Sequence, residues 1–273
     1  MSAEVLARAT AALAAAGCES PRLDAEVLLA EAVDVDRLTL LARNGTVLSA
    51  AQSGRFEALV ARRARREPVA YILGRRAFRD LELAVDPRVL VPRPETELLV
   101  EAALELPRGA RVLDVGTGSG AVALALKHER RDLAVTGSDV SADALAVARA
   151  NGERLGLDVA WRRADLLGGA GGPWDAVVAN PPYVAADELP ALAPEIARHE
   201  PRAALEAGED GLQVIWRLVP ELAGAGVPWV ALEVGLGQAA AVGERLAGAG
   251  YAHTEARADL AGIPRVVVAR RDA

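Results

Sequence analysis

The chain has 273 residues, 52% of them apolar, and a formal net charge of −7 at pH 7. This length predicts one large and one small domain, and the charge argues against a surface that follows a nucleic-acid backbone. The single cysteine, Cys18, excludes an internal disulfide and a cysteine-cluster metal site, and the three histidines show no ligand spacing. We therefore expect no metal and no direct nucleic-acid binding.

The sequence contains no apolar run of the length that a bilayer requires. Glu4 and Arg8 stand where a signal peptide would have its apolar segment. We therefore expect a cytoplasmic protein that does not bind membranes, and we take a monomer as the default.

Residues 1–73 carry apolar side chains at helical spacing and show no strand-like alternation. Ser20-Pro21 is a typical helix start, with a cap residue followed by a proline in the first turn. A later helix is predicted from near Ser49 to Arg66, where Pro68 ends it. We predict a small helical bundle domain over 1–73.

Arginines cluster at the end of this region and just beyond it. We interpret the cluster as a solvated helix face rather than a docking surface for a partner. Its members are Arg62, Arg63, Arg65, Arg66, Arg75, Arg76 and Arg79.

From Phe78 to Val91 the apolar residues alternate with period two, and Asp86-Pro87-Arg88 interrupts them with a turn. This pattern predicts a short β-hairpin, which we place in a linker over 74–92. Pro92-Arg93-Pro94-Glu95 then begins a helix, because proline and acidic residues are favourable in a first turn.

Strands and helices alternate over 93–273, which predicts a second domain with a mostly parallel, Rossmann-like sheet covered by helices on both faces. Ligands of such α/β sheets bind at the carboxyl ends of the strands. The predicted strands are Val112–Val115, Val135–Asp139, one near Val159, Ala176–Ala179, Val230–Val234, Tyr251–Ala256 and Arg265–Ala269. The predicted helices are Ala121–Lys127, Ala142–Leu155, Leu212–Leu222 and Gln238–Ala247.

The run Gly116-Thr117-Gly118-Ser119-Gly120 follows the first of these strands. Glycines there allow a tight turn and a close approach of the backbone to a ligand. Asp139 follows about twenty residues later, where an acid can accept hydrogen bonds from ribose hydroxyls. The alternative for Asp139 is a structural carboxylate at the start of the next helix. The loop alone does not distinguish NAD from another adenosine cofactor.

Asp165-Leu166 follows the third strand, and Asn180-Pro181-Pro182-Tyr183 follows the fourth. A carboxylate at Asp165 could accept the adenine amino group while the Leu166 N–H meets a ring nitrogen. The Asn180 oxygen can accept one N–H of a planar amide or amine, and the Pro181 carbonyl can accept the other.

The Tyr183 ring could stack on that planar group. The alternative for this motif is an ordinary Asn-Pro turn after a strand. A hydride-transfer enzyme needs an acid or a base beside its carbonyl, and neither histidine nor lysine stands in these segments. Methyl transfer from a sulfonium needs positioning instead, so it is the favoured chemistry.

Several motifs occur in an order and spacing that resemble those of the HemK/PrmC family, the peptide chain release factor N5-glutamine methyltransferases. The resemblance covers nearly the whole chain. It is carried by Val91-Pro92-Arg93-Pro94-Glu95-Thr96-Glu97, the run Gly116–Gly120, Asn180–Tyr183, Glu200-Pro201-Arg202 and Gly208-Glu209-Asp210-Gly211.

The resemblance implies a class I S-adenosylmethionine-dependent methyltransferase fold, with a small N-terminal helical bundle joined by a β-hairpin. It also implies methylation of the glutamine amide in the Gly-Gly-Gln loop of bacterial class 1 release factors, which the helical domain would help to dock. The resemblance further implies that Gly116–Gly120 hold the methionine end of S-adenosylmethionine. It implies that Asp139 binds the ribose and that Asp165 and Leu166 border the adenine.

Asn180 and the Pro181 carbonyl would bind the substrate amide, and Pro182 and Tyr183 would border its slot. Asn180 would also contact the cofactor, and Asn180, Pro181 and Tyr183 would be the catalytic residues. Three alternatives remain open. They are glutamine methylation of a ribosomal protein, methylation of adenine N6 in nucleic acid, and an adenosine-ligand binding module without catalysis. A dinucleotide-dependent oxidoreductase is a further alternative.

Overall fold

The computed structural model describes residues 2–42 and 47–272. The chain divides into two compact units. One comprises Met1–Arg75 with Ala193–His199, and the other comprises Arg76–Leu192 with Glu200–Ala273. Among the described residues, no helix is long and apolar enough to cross a membrane.

The secondary structure of the described residues is as follows. The helices are α1 Ser2–Ala15, α2 Pro21–Val33, α3 Arg37–Ala42, α4 Ala50–Ala64, α5 Val69–Leu73, α6 Glu97–Ala103, α7 Ala121–Glu129, α8 Ala142–Leu155, α9 Pro194–His199, α10 Gln213–Gly224 and α11 Ala239–Gly248. The strands are β1 Arg75–Phe78, β2 Leu81–Ala84, β3 Arg111–Val115, β4 Ala134–Asp139, β5 Ala160–Arg163, β6 Ala176–Ala179, β7 Trp229–Glu233, β8 His253–Ala258 and β9 Pro264–Arg270.

The helical unit packs around buried apolar side chains such as Leu13, Leu28 and Phe56. Its helix α4 begins as the sequence predicts. The Ser49 hydroxyl accepts a hydrogen bond from the Gln52 N–H at 3.2 Å, and the Gln52 side chain accepts one from the Ser49 N–H at 2.9 Å. This reciprocal capping box satisfies two backbone donors that the first turn leaves free.

The interpretation of the arginine cluster as a solvated face is wrong for Arg63 and Arg66. Arg63 is only 6% exposed and lies 2.7 Å from both Asp24 and Glu195. Arg66 donates through two nitrogens to the two Glu195 oxygens, at 2.7 and 2.6 Å. Buried guanidinium groups need such partners because an unpaired buried charge is very costly.

The predicted hairpin exists, but its turn lies elsewhere. Strand β1 pairs with β2, so the reversal falls at Arg79-Asp80 instead of Asp86-Pro87-Arg88. The second predicted arm, around Val89 and Val91, forms no strand, although both side chains are buried. The Val91 N–H instead donates to the buried Glu200 carboxylate.

The second unit contains a seven-stranded sheet with the order β5-β4-β3-β6-β7-β9-β8. The first five strands are parallel, while β9 is antiparallel to both β7 and β8. Separate apolar cores cover its two faces, since β3 sends Val112 into one core and Leu113 into the other. The mostly parallel sheet covered by helices is therefore confirmed.

The strand order reverses next to β3, which lies between β4 and β6. Such a reversal leaves a crevice at the carboxyl ends of the strands, where α/β proteins bind their ligands. The glycine-rich loop, Asp139 and Asn180 follow or end these three strands. The topology thus gathers the predicted site residues at one edge of the sheet.

Candidate active site

The glycine-rich loop joins β3 to α7, and its glycines have left-handed backbone angles. The φ values are +71° at Gly116, +55° at Gly118 and +83° at Gly120. Side chains with a Cβ rarely adopt this region, so the sequence dictates the turn. The Gly118 N–H donates to the Asp139 carboxylate at 3.0 Å, which ties the loop to the end of β4.

Gly120 has a different role from the other loop residues. A Cβ there would lie 3.0 Å from both the Leu124 and Trp161 side chains, and 3.2 Å from Ala148. Among the described residues, it is Gly116 to Ser119, and not Gly120, that line the cavity at this edge. Gly120 therefore permits close packing of α7 and α8 behind the loop.

Asp139 lies where both of the roles considered for it are sterically open. It lines the cavity, and its second oxygen accepts the Ser141 N–H at 2.9 Å, at the start of α8. Burial raises its pKa, while the backbone hydrogen bonds from Ser141 and Gly118 oppose that rise. Each carboxylate oxygen keeps capacity for a further hydrogen bond.

Asp114 was not identified from the sequence, although it lies on the cavity wall. It is buried in β3 and accepts hydrogen bonds from the Thr117 hydroxyl at 2.6 Å and the Ala123 N–H at 3.2 Å. Burial raises the pKa of this carboxyl to about 7. The available signal was an acid within an otherwise apolar strand, a position that is costly without a purpose.

Asp165 and Leu166 both line the cavity. The Asp165 carboxylate forms an ion pair with Arg217 of α10 at 2.7 Å, and both side chains are more than half exposed. Leu166 is buried and has a φ of +54°, which is rare for a residue with a bulky side chain. Such local strain persists only where the surrounding structure holds it in place.

Asn180 and the two following prolines line the same cavity. The Asn180 Nδ2 donates to the Thr96 hydroxyl oxygen at 3.0 Å. No described residue donates to the Asn180 Oδ1, so this oxygen can accept an N–H from a ligand. Pro181 is buried, which fixes the segment after β6.

Tyr183 lies beside this segment but, among the described residues, is not part of the cavity wall. Burial raises the pKa of its phenol to about 12. Its carbonyl accepts a hydrogen bond from the Gln238 Nε2 at 3.1 Å. A Cβ on Gly211 would lie 2.5 Å from that carbonyl oxygen, so Gly211 makes room for the backbone after the prolines.

The cavity has a volume of about 310 Å³, which is in the range of small-molecule sites. Its arginines are neutralised by acids: Arg88 by Asp86, Arg93 by Glu200, and Arg217 by Asp165. Asp114 and Asp139 contact no arginine among the described residues. The wall therefore favours a cationic ligand, because two carboxylates there lack a positive partner.

The cavity also has room where a glycine loop should meet a cofactor. A Cβ added at Gly116 would contact no other protein atom, although Gly116 lies on the wall. That space and the two carboxylates fit a positively charged ligand that approaches the loop. The described wall residues include no histidine or lysine.

Comparison with known proteins covers both units. Residues 4–74 match the PrmC N-terminal domain family, and residues 94–216 match the methyltransferase small domain family. A curated release factor glutamine methyltransferase from Deinococcus radiodurans is 42% identical over 273 residues, with 98% of each chain covered. One from Burkholderia pseudomallei is 45% identical, with 89% of this chain and 90% of that protein covered.

Solved structures show the same fold at low sequence identity. A methyltransferase from Pyrococcus furiosus has a TM-score of 0.55 and 19% identity, covering 81% of this chain and all of that one. The hMettl16 catalytic domain in complex with an RNA hairpin has a TM-score of 0.59 and 16% identity, covering 79% and 82%. These likenesses indicate a class I methyltransferase fold.

Proposed function

This chain belongs to the family of release factor glutamine methyltransferases, and from that premise we propose the reaction that it catalyses. It transfers the methyl group of S-adenosylmethionine to the side-chain amide nitrogen of the glutamine in the Gly-Gly-Gln loop of class 1 peptide chain release factors. The observation that carries the proposal is Asn180. Its side-chain oxygen is free to accept an amide N–H beside the glycine-loop cavity.

The residues that would hold S-adenosylmethionine follow from the cavity wall. Gly116 to Ser119 would border the methionine end, with Gly120 packed behind them, and Asp139 would accept from the ribose. Asp165 and Leu166 would border the adenine, and Asp114 adds a negative charge near the loop. When bound, this cofactor supplies a methyl group on a positively charged sulfur, which is already electrophilic.

The protein must then make a poor nucleophile react. The lone pair of a primary amide is delocalised into its carbonyl, so both N–H groups have to be held while the nitrogen is oriented. The Asn180 oxygen accepts one N–H and the Pro181 carbonyl accepts the other. Neither group takes up a proton near neutral pH, so the methylated amide would release its surplus proton to water after the transfer.

Pro182 and Tyr183 are proposed to border the slot for the substrate amide. Gln238 and Gly211 fix the Tyr183 backbone, so the ring position follows from packing and does not depend on an exposed loop. The phenol keeps its proton at neutral pH, since its pKa is about 12. Tyr183 therefore shapes the slot without supplying charge.

The partner is a bacterial release factor, and the helical unit is proposed to help dock it. We further propose that the enzyme acts in the cytoplasm as a monomer, without binding nucleic acid. The net charge of −7 supports this last point, because phosphate backbones attract basic surfaces.

The test is to incubate the protein with S-adenosylmethionine and unmodified release factor, and to fragment the Gly-Gly-Gln peptide by mass spectrometry. We expect a single methyl increment on the glutamine. Asn180→Ala should lower turnover by about 10²-fold or more, as loss of a positioned hydrogen-bond partner does elsewhere. Its affinity for S-adenosylmethionine should be largely kept.

Leu260→Ala is the control, since its side chain is fully exposed in the turn between β8 and β9. It should leave turnover unchanged. An unmodified glutamine with wild-type enzyme, while S-adenosylmethionine still binds, would refute the proposed substrate. Ribosomal proteins and adenine-containing nucleic acids would then be the substrates to test.

A further inference from the structure

Behind Asn180 lies a short chain of buried polar groups that the proposed reaction has not used. The Asn180 Nδ2 donates to the Thr96 hydroxyl oxygen at 3.0 Å. The Thr96 hydroxyl in turn donates to the carboxylate of Glu233, the last residue of β7. Thr96 and Glu233 are buried, with 4% and 2% of their surfaces exposed.

The donors and acceptors in this chain determine which way the Asn180 amide points. A threonine hydroxyl has one proton, and an ionised carboxylate can only accept. Since that proton goes to Glu233, the Thr96 oxygen can only accept from Asn180. The amide NH2 must therefore face Thr96, which leaves the amide oxygen for a ligand in the cavity.

Glu233 is placed so that its charge state matters. Its Oε2 is buried and has no hydrogen-bond partner among the described residues. Glu95 repels its charge, while Arg265 of β9 and Arg93 attract it, and the Tyr183 phenol also interacts with it. Burial outweighs these effects and raises the pKa of the carboxyl to about 7.

We propose that Thr96 and Glu233 are positioning residues, which hold the Asn180 amide in the orientation that accepts a substrate N–H as long as Glu233 is ionised. The inference rests on the proposed function, because the residue that it orients is the one that binds the glutamine amide. Neither residue needs to contact the reacting nitrogen. Both act through Asn180.

The consequence of protonating Glu233 follows from the same donor count. A protonated Glu233 can donate to the Thr96 oxygen, so the Thr96 proton becomes free to bond to the Asn180 oxygen. The Asn180 side-chain amide can then rotate by about 180°, so that its NH2 group faces the N–H of the substrate. Two donors cannot bond to each other, so turnover falls as the pH drops through about 7.

The experiment compares Thr96→Val, Thr96→Ser and Glu233→Gln with the wild type, at saturating S-adenosylmethionine. Thr96→Val keeps the shape but loses the hydroxyl, and we expect kcat to fall by about tenfold or more. The dissociation constant for S-adenosylmethionine should stay within about twofold, because the substitution leaves the glycine loop and Asp139 unchanged. Thr96→Ser restores the hydroxyl and should recover most of the turnover.

Thr254→Val is the matched control, since it removes a hydroxyl from an exposed site in β8. It should leave kcat unchanged. The pH profile separates positioning from mere stability. The kcat of the wild type should decrease below about pH 7, and the kcat of Glu233→Gln should not show this decrease. The inference would be overturned if Thr96→Val had the same kcat as the wild type, or if the kcat of Glu233→Gln decreased below about pH 7 as in the wild type.

A second measurement does not depend on turnover. The side-chain amide signals of Asn180 can be identified in a nitrogen-15 spectrum by their loss in Asn180→Asp. We expect them to shift with pH, with a midpoint near 7 that disappears in Glu233→Gln. If the release factor is not methylated but these signals titrate, the proposed function fails while the orientation of Asn180 stands. Signals that do not titrate contradict the orientation itself.

Discussion

At the scale of single residues, the negative charge of the cavity comes from carboxylates that lack a positive partner. Asp114 and Asp139 lie near each other, and the charge of Asp139 contributes to the raised pKa of Asp114. Burial is the larger cause. A bound cation would reverse both effects, because it favours the ionised form of a neighbouring carboxyl.

This predicts a pH-dependent affinity for S-adenosylmethionine. The pKa of Asp114 is about 7 in the folded protein without a cation, so the carboxylate loses its charge as the pH falls below that value. Affinity should therefore be constant well above pH 7 and decrease toward about pH 5.5. Isothermal titration calorimetry measures this directly.

Asp114→Asn should weaken binding at about pH 8 and remove most of the pH dependence. The control is Asp175→Asn, because Asp175 pairs with Arg111 at the opposite edge of the sheet, just before β6. Equal affinities at both pH values in the wild type would contradict the role given to Asp114.

Gly211 gives a second prediction at this scale. Its φ is +68°, and a Cβ would lie 2.5 Å from the Tyr183 carbonyl oxygen and 2.9 Å from the Gln238 amide nitrogen. Gly211→Ala should therefore displace the backbone after the prolines and lower both turnover and the melting temperature. Steady-state kinetics and thermal denaturation test this.

Gly243→Ala is the matched control. Gly243 lies inside α11, and a Cβ there would meet no atom within 4 Å. Alanine is the better helix former, so this change should stabilise the protein by up to about 1 kcal/mol. Similar effects of the two substitutions would show that the contact with Tyr183 is not the cause.

At the scale of elements, one buried ion pair connects two segments that both line the cavity. Arg93 precedes the 3₁₀ helix Pro94–Thr96, and Glu200 precedes the 3₁₀ helix Arg202–Ala204. The Arg93 Nη2 lies 2.7 Å from each Glu200 oxygen, and the Glu200 side chain is only 1% exposed. The pair thus fixes Thr96 and the cavity wall near Pro201 relative to each other.

Arg93→Gln should destabilise the protein by roughly 2–4 kcal/mol near pH 8, because it leaves a buried carboxylate without its cation. Burial already raises the pKa of Glu200. Without Arg93 the carboxyl can be neutralised more readily, so the loss should be smaller at about pH 5.5 than at about pH 8. Urea denaturation at both pH values measures it.

The control for this pair is Arg202→Gln, since Arg202 and Glu206 form an ion pair at the surface. Surface ion pairs contribute little to stability, so the urea midpoint should hardly change. An equally small effect of Arg93→Gln would mean that the buried pair does not hold the two segments.

At the scale of the whole molecule, the helical unit includes a segment from far along the chain. Helix α9 belongs to it, and Glu195 of α9 pairs with Arg63 and Arg66. These hydrogen bonds hold the pKa of Glu195 at about 2, although burial opposes them. The contact between Glu195 and Arg66 spans 129 residues of sequence.

The folded pKa of Glu195 lies below its ordinary value of 4.5, so its contribution to stability is full above that value. It is lost as the pH falls toward about 2. Glu195→Gln should remove this contribution and increase hydrogen exchange in α2 and α4, with β3 and β6 unaffected. Native-state hydrogen exchange read by mass spectrometry tests this.

Glu188→Gln is the control, because Glu188 lies in the other unit and its carboxylate accepts a hydrogen bond from the nearby Ala185 N–H. It should leave exchange in α2 and α4 unchanged. Equal exchange in wild type and Glu195→Gln would show that α9 does not stabilise the helical unit.

Local patterns predicted the elements well wherever a single segment decides its own structure. Helix α8 has the predicted bounds, since Ser141 caps it and Gly156 ends it in a left-handed conformation. Strand β6 also has its predicted bounds. The predicted position of the hairpin turn was wrong because the alternation of apolar residues continues through Val89 and Val91. These two residues are buried for reasons other than strand pairing.

The sequence by itself determined the alternation of elements, the glycine loop and the segment from Asn180 to Tyr183, because each depends on residues that are close along the chain. Only the tertiary structure decided that Thr96 faces Asn180 and that Arg93 faces Glu200, contacts that span 84 and 107 residues. It also decided that Asp114 and Glu233 are buried with raised pKa values. The physical reason is that burial, and the partner that a polar group finds, are fixed only when distant segments pack together.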